Sequence, residues 1–229
     1  MQPYFFPYIG YFQLISAVDR FVIYDNIQYT KKGWINRNRI LHNGSDTLIG
    51  LPLKKDSDYL DVKDRYLAQT WSKEKIKMLN KIKNSYGKST YFKDVFPLVE
   101  SIILSNHINL FDYIYDSIIT LVKYLNIQTD IIVSSTLNIE PNLKAENKVI
   151  AICQELGGTH YINPIGGTNL YNKHHFSNEN IQLNFLKSTL KTYQQFDHEF
   201  IPWLSIIDVL MFNSKGEITS SLNTGFELK

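Results

Sequence analysis

Apolar positions recur along the chain with two different periods, and the changes of period divide it into segments. Ile76, Leu79, Ile82 and Tyr86 are spaced three or four apart, as on one face of a helix. Ser72 stands where an N-cap is expected, and Gly87 where a helix would end. The spacing returns in Val95, Leu98, Val99 and Ile102, and again in Phe111, Ile114, Ile118, Leu121 and Leu125. Three successive helices predict a helical subdomain over about 72–126. Ahead of it, IGYFQLISAV (9–18) predicts a short helix and Phe21–Tyr24 a buried strand. Runs around Arg39–Leu41 and Leu48–Leu53 flank His42-Asn43-Gly44-Ser45, and Asn-Gly in that setting predicts a hairpin. Beyond the helices come a strand at Ile131–Val133, a helix over Lys144–Leu156, and strands at His160–Ile162 and Ile181–Phe185. Strand–helix–strand order implies parallel pairing through right-handed crossovers. The expected fold is α/β: one domain over 1–229, with a mostly parallel Rossmann-like sheet and the helical insert.

Composition narrows the classes. At 229 residues and 44% hydrophobic, the chain can bury a sizeable core. A net charge of +2 gives no long-range field to draw in nucleic acid. Cys153 is the only cysteine, so no disulfide closes within the chain. No apolar run approaches the roughly 18 residues that a membrane span needs. The N-terminus carries prolines and no basic segment, unlike a signal peptide. These features predict a cytoplasmic protein without membrane insertion, acting on precursors before export. The six histidines show no metal-ligand spacing, and the adjacent His174 and His175 diverge on regular structure. No metal or cofactor is expected, and neither a Walker signature nor GxGxxG is present.

The chemistry concentrates in two stretches. MQPYFFPYIGYF opens the chain with six aromatics and two prolines four apart. Such a terminus is rigid and apolar, so it should lie against the protein. FVIY then leads into Asp25, followed by Gln28, Lys31, Lys32, Trp34, Asn36, Arg37, Asn38 and Arg39. Binding groups collect at the carboxyl ends of strands in α/β folds. Asp25 could serve as a general base, or simply bond turn amides. The four cations suit a diphosphate, or form a solvated face. Trp34 offers a flat ring to a sugar or base. On a regular strand Trp34, Asn36 and Asn38 would share one side, with Ile35, Arg37 and Arg39 on the other. Gly166-Gly167 in YINPIGGTNLY could present amides to an anion, or make a plain turn. Cys153 lies on an apolar helical stripe and reads as structural rather than as an acyl-carrying nucleophile.

QPYFFPYIGYF together with FVIYDNIQYTKKGWINRNRI resembles the WbqC-like family of bacterial proteins. Trp71, the helix around Ala151–Cys153, YINPIGGTNLY and PWLSIIDVLMFN extend the resemblance over nearly the whole chain. It implies a setting in gene clusters for O-antigen and other surface polysaccharides, and transfer of a glycyl or similar acyl group to an amino sugar. This chain departs from the family pattern twice. Relatives carry a short apolar strand before the QPYFFP motif, which is shortened or lost ahead of Gln2, through a misassigned start or a trimmed chain. Relatives also carry Ser-Gly where this chain has Asn163-Pro164. The opening order of turn, helix and strand also resembles HIGH-type nucleotidylyltransferases and adenylate-forming ligases, but Pro7-Tyr8-Ile9-Gly10-Tyr11 offers no histidine for a triphosphate.

The leading expectation is a transferase that adds an aminoacyl or acyl group, glycyl among them, to the amine of a nucleotide-linked amino sugar, with an acyl-carrier protein as one candidate donor. Asp25 would be the base. Gln28, Asn36 or Asn38 would donate to the developing oxyanion. Gln2, Tyr4, Lys31, Lys32, Trp34, Arg37, Gly166 and Gly167 would bind the substrate. The alternatives are an adenylate-forming or nucleotidyl-transferring enzyme, and a non-catalytic binding or scaffold protein of the same pathway.

Overall fold

The computed structural model describes residues 1–229. In chain order it contains α1 (Ile9–Ser16), β1 (Arg20–Ile23), β2 (Arg37–His42), β3 (Ser45–Gly50), α2 (Trp71–Tyr86), α3 (Phe92–Ile103), α4 (Leu110–Tyr124), β4 (Asp130–Val133), α5 (Ala145–Glu155), β5 (His160–Pro164), α6 (Lys173–Asn178), β6 (Gln182–Ser188), α7 (Ile206–Phe212), α8 (Lys215–Thr224) and β7 (Phe226–Leu228). The fold is a mixture of helices and small sheets. β1 and β4 form a parallel pair, β2 and β3 an antiparallel hairpin, and β5, β6 and β7 a three-stranded sheet. In the last of these β5 and β6 are parallel and β7 is antiparallel.

The expected continuous, mostly parallel sheet does not form. A groove of about 440 Å³ lies between β1 and β5, lined by Val22, Tyr24, Ile152, Cys153, Tyr161 and Ile162 among others. Besides β4, Met1 bonds to β1: its amino group donates to Val22 O at 2.6 Å, and Tyr24 N donates to Met1 O at 2.8 Å. β1 and β5 are not hydrogen-bonded to each other, so the parallel pairs remain separate.

The hairpin follows from its turn. Asn43 and Gly44 both adopt left-handed φ, +50° and +73°, the requirement of a two-residue turn whose twist matches its strands. The register pairs Asn38 with Ile49 and Leu41 with Asp46. α2, α3 and α4 occupy the stretch expected to be helical. Their apolar faces join the N-terminal aromatics, the hairpin, α7 and α8 in a single core of 42 buried residues, so the helices do not enclose a core of their own. Val149, Ile150, Cys153, Phe176, Ile181, Leu183 and Phe185 form a smaller cluster under α5 and β6.

Two boundaries differ from expectation. α2 starts two residues earlier than a Ser72 cap implies, with Thr70 at its N-cap position, while the Ser72 hydroxyl donates back to Gln69 O. α8 carries a capping box between Ser214 and Glu217, a spacing legible in the sequence as S-x-x-E.

The N-terminal aromatic segment is clamped from both sides. Phe5 and Phe6 are fully buried, and Phe5 N donates to Ile35 O at 2.9 Å. Phe6 takes a left-handed φ of +43°, a costly conformation for a bulky side chain. Its carbonyl accepts from Asn38 Nδ2 at 2.7 Å and from Ser205 Oγ at 2.9 Å. Ile206 N, at the start of α7, donates to Pro7 O. The first and last thirds of the chain therefore meet at this turn.

Candidate functional site

Parallel strands β1 and β4 run in register from Arg20 beside Asp130 to Ile23 beside Val133. Both chains leave the pair at the same end. One continues as Tyr24-Asp25-Asn26, the other as a 3-10 turn over Ser134–Thr136. The two exits are locked together. Ser135 N donates to Asp25 Oδ1 at 3.0 Å, and Ser134 Oγ lies 2.9 Å from the same oxygen. That hydroxyl is also 2.6 Å from Asn26 Oδ1, and its single proton can serve only one of the two acceptors. Lys148 Nζ on α5 completes the chain of contacts, 3.0 Å from Asn26 Oδ1 and 3.3 Å from Asn26 O. It sits 5.1 Å from the centre of the Tyr24 ring.

Asp25 is only 4% exposed. Burial by itself would raise its pKa. The hydrogen bonds from Ser135 and Ser134 outweigh that effect and hold the carboxyl below its ordinary value. Asp25 is therefore ionised at neutral pH, a weak proton acceptor but a fixed negative charge. Lys148 moves the other way. Partial burial lowers its pKa, and Asp61 and Asp25 offset this only in part. Titratable neighbours whose environments displace them from their ordinary values are a recognised mark of functional sites.

The remaining candidates occupy several different settings. Trp34 is 44% exposed, and the guanidinium carbons of Arg37 and Arg39 each lie 5.9 Å from its ring. Regular alternation would have parted Trp34 from both arginines. β2 begins only at Arg37, after a turn closed by Gly33 N donating to Thr30 O, so strand geometry does not apply at Trp34. Arg37 spends donors on the carbonyls of Gly33 and Lys32, and Lys31 pairs with Asp58 at 2.7 Å on the surface. Lys32 is exposed. The side-chain amides expected at an oxyanion bond backbone carbonyls: Asn36 that of Leu51, Asn38 those of Phe5 and Phe6, Gln28 that of Asp58. The Tyr4 hydroxyl donates to Gln2 Oε1, and that of Tyr11 to Gln2 O.

Gly166 and Gly167 lie in a 3-10 segment, Ile165–Leu170, after β5. Gly167 is buried with the Asn163 amide against it, leaving no room for a Cβ, whereas Gly166 has open space. Close packing thus accounts for one glycine of the pair. Cys153 is buried, and burial pushes its thiol up to about 11, so it is protonated at neutral pH. Cys153→Ala should lower stability by about 1 kcal/mol and leave function intact. A trapped acyl-thiol on a folded protein would contradict that result.

Asn26, Ser134, Ser135 and Lys148 were not singled out in the sequence. Asn26 adjoins Asp25, so its place at a strand end was readable. Ser134 and Ser135 follow the apolar run Ile131–Val133 in the same way. Lys148 carried no signal, because only the packing of α5 beside β1 brings it in.

The fold and site define a mixed α/β protein with a polar cluster at the carboxyl ends of a short parallel strand pair. The model of the WbqC-like protein family matches residues 2–220, and the chain belongs to that family. It is 28% identical over 221 residues to an uncharacterized protein of Mycobacterium tuberculosis, an alignment covering 95% of this chain and 93% of that protein. No solved structure matches. No helix is long and apolar enough to cross a membrane.

Proposed function

We propose that this protein transfers an aminoacyl or acyl group, such as glycyl, to the amine of a nucleotide-linked amino sugar used for surface polysaccharide. The observation that carries the reading is the buried, ionised Asp25 at the carboxyl ends of β1 and β4, with Lys148 in the same hydrogen-bonded chain. A carboxylate kept charged can hold and orient an amine. Six residues further along, Lys31 starts the basic stretch that includes Trp34 and Arg37. Six residues of chain span no more than ~20 Å. In this reading an elongated ligand has its amine at Asp25 and its diphosphate near Lys31, Lys32 and Arg37, with Trp34 beside a ring. Family membership supports the setting, through the resemblance to proteins of O-antigen clusters.

Calorimetry with a UDP-linked amino sugar, UDP and the free amino sugar tests the binding half. The intact nucleotide sugar should bind at least tenfold more tightly than either part, since it alone engages both ends. Trp34→Ala should weaken the nucleotide sugar and UDP alike. Equal or absent binding of all three would favour a scaffold role over a transferase.

A further inference from the structure

Lys148 is the one cation in the Asp25 cluster, and it has no carboxylate partner. Its contacts are neutral: the side-chain and main-chain oxygens of Asn26 and the face of Tyr24. An ammonium so placed is neither neutralised nor fully solvated, which favours loss of its proton. Asp25, meanwhile, has one oxygen accepting from Ser135 N and 2.9 Å from the Ser134 hydroxyl, and stays charged. The charged groups acting on Lys148 come from several elements. Asp25 follows β1, and Asp61 and Lys63 lie in the segment beside it. The two acids favour the ammonium and Lys63 opposes it, while burial lowers the nearby Met1 amino group to about 5, so it is neutral at pH 7.

We propose that Lys148, rather than Asp25, takes the proton from the attacking amine, and that Asn26 is its positioning residue. This rests on the acyl-transfer reading above. With an acyl thioester as donor, the amine lone pair forms the new C–N bond and the carbonyl carbon–sulfur bond breaks. The proton leaving nitrogen passes to neutral Nζ, and from there to the departing thiolate. The products are an amide and a free thiol, with no oxidant or reductant involved. Burial assists by lowering the pKa of Lys148 below the ordinary lysine value.

The test has two arms. In the first, lysines of the full chain are reductively methylated with ¹³C and titrated by NMR, a readout that needs no substrate. The Lys148 signal should titrate below those of the exposed lysines, and Asn26→Asp, which sets a carboxylate against Nζ, should move it upward. In the second, thiol release is followed with a glycyl thioester of N-acetylcysteamine and a UDP-linked amino sugar. Lys148→Arg and Lys148→Met should lower kcat by about 10²–10³-fold. Their urea midpoints should stay near that of the unaltered chain. Asn26→Asp should shift the acid limb of the kcat/KM profile to higher pH. Turnover by the unaltered protein with Lys148 titrating among the exposed lysines overturns this inference alone, as does full activity in folded Lys148→Arg. No turnover, even with Lys148 titrating low, overturns the acyl-transfer reading and this inference with it.

Discussion

Replacing Asp208 with alanine is expected to destabilise the protein by about 4 kcal/mol, enough to leave much of it unfolded at 37 °C. Asp208 lies on α7 with no exposure to solvent. Its carboxylate accepts from three donors: Tyr86 Oη at 2.9 Å, Tyr193 Oη at 2.7 Å and Gln195 Nε2 at 2.6 Å. Tyr86 in turn accepts from Leu41 N at 2.8 Å. One side chain thereby ties α7, α2, the hairpin and the segment after β6 together. Alanine would leave two buried donors, Tyr86 and Gln195, and the half-buried Tyr193 with reduced or no satisfaction, each buried one costing about 1–3 kcal/mol before relaxation. Equilibrium urea unfolding measures the effect, and a loss under 1 kcal/mol would show that the network adds little. Burial raises the pKa of Asp208, against the opposing effect of the three hydrogen bonds. The folded protein therefore takes up a proton at Asp208 between the ordinary carboxylate value and the raised one. The contribution of this group is greatest below the ordinary value and is lost as pH rises through the raised value. Asp208→Asn should remove that segment of the pH–stability curve.

Asp25→Asn is expected to lower acyl transfer by about 10²-fold or more, a loss of transition-state stabilisation near 3 kcal/mol. The amide keeps the shape of the carboxyl but loses the charge proposed to hold the amine. It also leaves Ser134 and Ser135 with a poorer acceptor, so stability should fall by about 1–2 kcal/mol. Here the pH dependence has the opposite sign to that of Asp208. The folded pKa of Asp25 lies below its ordinary value, so its contribution is present at neutral pH. It is lost as pH falls below the ordinary carboxylate range and through the lowered folded value. Asp25→Asn should therefore flatten the acid limb of the stability curve while lowering stability at pH 7. Rates under saturating substrate separate the catalytic loss from unfolding. A folded Asp25→Asn protein with unaltered kcat and KM would move the site away from this strand end.

The sequence by itself determined the local elements, because their causes are local. Spacing of three and four specified α2, α3 and α4; Asn43-Gly44 specified the hairpin turn; short β-branched runs specified β1 and β4. It also marked Asp25, which ends such a run. What Asp25 touches was decided by tertiary structure, since Ser134 stands 109 positions away and Lys148 joins only through Asn26. The polar residues after β1 illustrate the same limit. Asn38 reads as a site donor, yet it is buried and spends its amide on the carbonyls of Phe5 and Phe6, because the left-handed turn at Phe6 needs fixed partners. Six of the seven strands were legible; β7 and the arrangement of the sheets were not. Whether parallel pairs merge depends on unpaired edges meeting, and a groove separates β1 from β5. Asp208 offered no local sign at all: its partners come from two other segments, Tyr86 from α2 and Tyr193 and Gln195 from the stretch after β6, and burial gives their hydrogen bonds their weight.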